Sequence, residues 1–206
     1  LPDFVVHAIH AAARAEKPDA VIIGEVWEDA SHKIAYGLRR RHVLGGHCDG
    51  VMNYPLRSGI LSFLLGGDGG SLRRTVETQR QNYPPWAFSS GMNSLGTHDT
   101  PRILTLLGEG SDRKGDTSRD WRSASRLSPE PRAIAVRRLK LGSLLLYALP
   151  GSPTLYYGDE VGMEGFEDPF NRRPFPWGKE DGNLLAWFTT LGKARKKLLP
   201  LRRGTL

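Results

Sequence analysis

The chain has 206 residues, a formal net charge of +7, 39% hydrophobic and 25% charged side chains, and one cysteine. That length suits one domain with a sizeable core, and the composition excludes a disordered chain or a disulfide-stapled scaffold. The cations of "RRR" at Arg39 to Arg41, "SDRKGDTSRDWR" from Ser111 and "KARKK" from Lys193 lie in different elements among acids, so no nucleic-acid partner is expected.

Pro2 opens a helix whose Phe4, Val5, Ala8, Ile9 and Ala12 recur at helical spacing, and Lys17-Pro18 ends it. The chain starts on this helix without Met or a signal peptide, so it is expected to be a piece of a longer protein, a single partial domain over 1–206. "AVIIGEV" reads as a buried strand that runs into Glu25 and then Trp27. His7 and His10 stand on one helix and "GGHCDG" resembles a metal tract, but no third ligand sits at a telling spacing and no metal is expected. Cys48 leaves no partner for an internal disulfide, which leans the expected compartment towards the cytoplasm.

"DGVMNYPL" is a second short strand, closed by Pro55. Helices are expected near 60–65 and from Ser71, a candidate cap, to about Gln81. "GMNSLGTHDTPRILTLL" gives a third strand over 92–97 and a helix starting near Thr100 or Pro101. Residues 108–130 are polar and without period, hence a long loop. A helix over 131–149, the strand "SPTLYYGDE" and an amphipathic helix stopped by Pro200 complete the chain. No apolar run nears the ~18 residues of a spanning helix, so no membrane partner is expected.

Strands that do not alternate, each followed by a helix, predict an α/β fold with a parallel sheet. Glu25, His98-Asp99 and Asp159-Glu160 all end strands, and carboxyl ends of parallel strands share one edge where ligands bind. Carboxylates converging beside Trp27, Tyr54 and Tyr157 fit glycosidic chemistry, in which one acid protonates the leaving oxygen. Partial burial beside the Trp27 indole is expected to raise the Glu25 pKa into a proton-donating range. The alternative for Glu25 is an Arg pair or a helix cap. Arg102 is expected either to pair with a site carboxylate or to lie on the surface at the helix start, and Asp159-Glu160 to serve in structural hydrogen bonds.

"GEVW", "GVMNYPL", "SLGTHDTPRILT", "GSPTLYYGDEVGM", "EDPFNRRPFPW" and "LRRG", in that order, resemble the α-amylase family of glycoside hydrolases, in its neopullulanase, cyclomaltodextrinase and maltogenic amylase branch. The resemblance implies the C-terminal half, strands five to eight, of a (β/α)8 TIM barrel that acts on α-glucans. It implies Glu25 as the general acid/base, Asp99 as the carboxylate that supports the transition state, His98 as a sugar ligand in the same subsite, and Trp27 beside the leaving group. The family's nucleophilic Asp belongs to a G-x-R-x-D motif expected upstream of Leu1, so the piece alone is expected to be inactive. Some of the wider family hold a structural calcium, but nothing here assigns one and no cofactor is expected. A half barrel exposes two sheet edges, so self-association is expected. Hydrolysis and transglycosylation stay equally open, as do cyclomaltodextrins, pullulan and starch. A non-catalytic, amylase-like scaffold is the alternative, which the joint presence of Glu25, His98 and Asp99 disfavours.

Overall fold

A computed structural model of the chain describes residues 1–109 and 118–204. Helix α1 (Asp3–Glu16) leads into strand β1 (Ile23–Gly24). Asp49 ties the two together, accepting from Ile22 N at 2.8 Å and from Arg14 at 2.5 Å. His7 Nδ1 also meets the carbonyl of Gly46, in "GGHCDG", at 3.1 Å. Next comes a hairpin that the sequence pattern did not reveal, β2 (Ile34–Ala35) and β3 (Leu38–Arg39). Its turn runs through Tyr36 and Gly37, both at positive φ.

Strand β4 (Gly50–Val51) lies parallel to β1, in the register Ile23↔Gly50 and Gly24↔Val51. Helix α2 (Tyr54–Leu64) starts well before the apolar spacing suggests, because Pro55 fills the first turn and Asn53 accepts from Leu56 N. Helix α3 (Gly69–Asn82) is capped by Asp68, which accepts from Gly70 N and Ser71 N, so Ser71 lies inside the first turn rather than capping it. After α4 (Pro85–Ser89) the chain enters β5 (Met92–Ser94), and Met92 bridges Met52 in parallel.

The expected loop over 108–130 is partly helical. Helix α5 (Ile103–Glu109) reaches its start, α6 (Arg119–Ala124) is capped inside it by Ser118, and α7 (Pro129–Ala148) begins before it ends. Residues 110–117 of that stretch lie outside the described residues. Strand β6 (Ser152–Thr154) then pairs in parallel with β5, in the register Met92↔Ser152 to Ser94↔Thr154. Short 3-10 turns at Asp159–Val161 and Phe170–Arg172 lead to α8 (Gly182–Lys197). Pro200 both follows the end of α8 and opens α9 (Pro200–Arg203).

Strands β1, β4, β5 and β6 therefore lie side by side in chain order; helices α2 to α4 cross from β4 to β5 and α5 to α7 from β5 to β6, whereas the segment with the β2–β3 hairpin, and not the expected helix, crosses from β1 to β4. The main core is built by helices α2, α3, α5, α7 and α8, with Leu95 just past β5. Ile60, Ile103, Leu104, Leu139, Leu146 and Leu184 are fully buried in it. Gly142 lets α7 approach α2, since a Cβ there would stand 2.7 Å from Leu64 Cδ1. Among the described residues no helix is long and apolar enough to cross a membrane.

Candidate active site

Glu25 is the first residue beyond β1, and His98-Asp99 lie on the turn that follows β5. That turn is held from within and from outside. Thr97 N donates to Thr100 Oγ1 at 3.1 Å and Asp99 N to Thr97 Oγ1 at 3.3 Å, while the buried Asn171 donates to the carbonyls of His98 at 2.6 Å and Thr100 at 3.0 Å. So fixed, His98 Nε2 reaches 3.5 Å from Glu25 Oε1 and 3.2 Å from Asp99 Oδ2. These residues, distant in sequence, meet as the shared strand edge requires.

Glu25 is only partly enclosed. Its side chain is 42% exposed, against 40% for His98 and 39% for Asp99. Two residues at the end of a parallel ladder do not enclose a carboxyl group, and β1 has a strand partner on one side only among the described residues. Tyr54, at the first turn of α2, places its hydroxyl 3.5 Å from Glu25 Oε1. Burial pushes the Tyr54 phenol above its ordinary pKa, which keeps it a neutral donor. Trp27 stacks on the Tyr54 ring at 3.9 Å and 13°, so one indole face is occupied, yet the residue stays 49% exposed.

Arg172 and Asn171, on the 3-10 turn after β6, belong to this site although the sequence pattern assigned them nothing. Arg172 Nη2 lies 3.3 Å from Asp99 Oδ1, and its Nε lies 2.8 Å from Asp168 Oδ1. "EDPFNRRPFPW" was the signal that could have found them, since a polar loop carries no period and only its motif marks it.

Asp159 and Arg102 lie beneath. Arg102 is buried over the Tyr156 and Tyr157 rings, at 4.3 Å and 4.4 Å, and pairs with Asp159 Oδ1 at 3.5 Å. Arg102 thus takes a structural carboxylate as its partner, not Glu25 or Asp99 at the mouth. Gly96 leaves room for that carboxylate, since a Cβ there would stand 2.1 Å from Asp159 Oδ2. As for a metal, Glu25, His98 and Asp99 are the one group of three potential ligands whose donor atoms all lie within 4.8 Å of one another among the described residues.

Carboxylates, an imidazole and an exposed indole at the carboxyl ends of parallel strands define an α/β protein with a polar ligand site at the mouth of its sheet. The chain belongs to the α-amylase family, because the family model described as "Alpha amylase, catalytic domain" matches residues 3–197. It is 36% identical over 216 residues to the amylopullulanase of Thermoanaerobacter thermohydrosulfuricus, covering 99% of this chain and 13% of that protein. Neopullulanase 2 of Thermoactinomyces vulgaris is 32% identical over 193 residues, with 92% of this chain and 27% of that protein covered. Among solved structures, the cyclic α-maltosyl-(1→6)-maltose hydrolase of Arthrobacter globiformis superposes with a TM-score of 0.79 at 27% identity, over 100% of this chain and 40% of that one. The chain therefore spans well under half the length of the curated relatives it matches. The family is built on a (β/α)8 barrel.

Proposed function

We propose that these residues form strands five to eight of the catalytic barrel of a retaining, α-glucan-acting glycoside hydrolase. In this reading Glu25 protonates the glycosidic oxygen while an aspartate carboxylate outside this chain attacks the anomeric carbon. A water then displaces the enzyme from the sugar, and Glu25 takes the proton it loses. Asp99 balances the positive charge that builds on the ring, His98 donates to a sugar hydroxyl, and Trp27 lines the leaving-group side.

The observation that carries this reading is the meeting of His98 Nε2 with Glu25 Oε1 at 3.5 Å and Asp99 Oδ2 at 3.2 Å. A proton donor, a charge-stabilising carboxylate and a hydroxyl ligand then face one point. The relatives' names, amylopullulanase, cyclomaltodextrinase and neopullulanase, support α-glucans as the substrate class.

The test is turnover of cyclomaltodextrin, pullulan and maltotriose by the chain alone and by the longer protein that contains it. Activity is expected only in the longer protein, and Glu25→Gln there should lower turnover about 10²–10⁴-fold while sparing sugar binding. Unchanged turnover in Glu25→Gln would remove the acid/base assignment. An inactive longer protein that still binds a partner protein would favour the scaffold alternative. Turnover by the chain alone would show that it needs no outside nucleophile.

A further inference from the structure

The mouth of the sheet also has the geometry of a metal site. We propose that Glu25, His98 and Asp99 bind a single divalent transition-metal ion of the Zn²⁺ class. Four-coordinate zinc with nitrogen and oxygen ligands at about 2.0–2.2 Å places neighbouring donor atoms about 3.3–3.5 Å apart, the edge of a tetrahedron. The two measured edges match, with His98 Nε2 at 3.5 Å from Glu25 Oε1 and 3.2 Å from Asp99 Oδ2. The remaining separation lies within 4.8 Å, and a small rotation of one half-exposed carboxylate closes it.

The donor set selects the metal. One imidazole and two carboxylates suit Zn²⁺ or Co²⁺, whereas Ca²⁺ takes six to eight oxygens and Mg²⁺ an octahedron that keeps several waters. The surroundings hold the ligands in place. Asn171 clamps the His98 carbonyl at 2.6 Å, and Arg172 engages Asp99 through Oδ1, which leaves Oδ2 turned to His98 Nε2. Two carboxylates against the single Arg172 guanidinium leave a negative charge that a cation offsets. The three side chains are half-exposed, so water would supply the fourth ligand.

Metal binding stands on this geometry alone. Its consequence rests on the function proposed above: an ion here takes the Glu25 oxygen that would carry the proton and the Asp99 and His98 atoms that would meet the sugar. Metal and glucan therefore exclude each other.

The experiment titrates the chelator-treated chain with ZnCl₂ by calorimetry and with CoCl₂ by visible absorption. One equivalent of each is expected, with the absorption of tetrahedral Co²⁺. His98→Ala and Glu25→Gln should each weaken binding at least about tenfold, with circular dichroism confirming that both variants fold. His47→Ala, in the "GGHCDG" loop, should change nothing. No saturable binding, equal affinity in a folded His98→Ala, or loss only in His47→Ala would each overturn the proposal. A second titration separates the two readings. Maltotriose should bind the metal-free chain of the longer protein and not its Zn²⁺ form. Simultaneous binding overturns the exclusion, while loss of maltotriose binding without metal counts against the sugar site and leaves the ion in place.

Discussion

Asp159 sits buried against the guanidinium of Arg102, which is itself inaccessible and packed over two tyrosine rings. Burial pushes the Asp159 carboxyl up to about 7, and the attraction of Arg102 only partly opposes it. The unfolded chain keeps this carboxyl near its ordinary 3.8. Folding therefore takes up a proton between those values. The stability that Asp159 contributes is complete below about pH 4 and is lost as the pH rises through about 7. Asp159→Asn cannot ionise, so urea midpoints should show the wild type losing ground to this variant between about pH 4 and about pH 7. Parallel profiles would mean that Asp159 stays ionised beside Arg102. At this scale the convergence of Glu25, His98 and Asp99 was legible because each follows a strand whose end must face the shared edge. Arg172 and Asn171 were not, since their partners lie across a loop and no spacing records such a contact. The openness of Glu25 was also illegible, because enclosure depends on what surrounds a strand and not on the strand itself.

Between elements, α7 approaches α2 closely at Gly142. A valine there would drive its branch into Leu64, whose Cδ1 stands 2.7 Å from the position of a Cβ, with Leu95 Cδ1 at 3.3 Å. Overpacking of this kind costs about 1–3 kcal/mol. Urea denaturation of Gly142→Val should show a lower midpoint at an unchanged slope, and an unchanged midpoint would show that Leu64 rotates away freely. The elements themselves were legible in proportion to their apolar period. Helices α1, α3 and α8 carry such a period and α7 is rich in apolar residues, and all four were expected within a few residues of where they lie. Pro55 disguised the first half of α2 as a strand end, charged residues hid α6, and the β2–β3 hairpin is too short to alternate.

For the molecule as a whole, the open side of β1 decides what the isolated chain does in solution. Among the described residues β1 hydrogen-bonds a strand only on the β4 side. Val21 and Ile23, which a covered parallel strand would bury, are 66% and 38% exposed. Leu1 and Phe4 of the adjoining segment are exposed as well. Unpaired backbone groups flanked by apolar side chains are a template for another strand, and a second copy of this chain offers the same edge. The isolated chain is therefore predicted to self-associate through β1. Sedimentation velocity over a dilution series should show a concentration-dependent species. Val21→Lys should shift it towards monomer, because a charged side chain beside the edge must be desolvated when the edge is covered. The same substitution at an exposed helix position, Leu141→Lys, should leave the distribution unchanged. A single monomer boundary at every concentration, or equal effects of the two substitutions, would show that the β1 edge does not drive association.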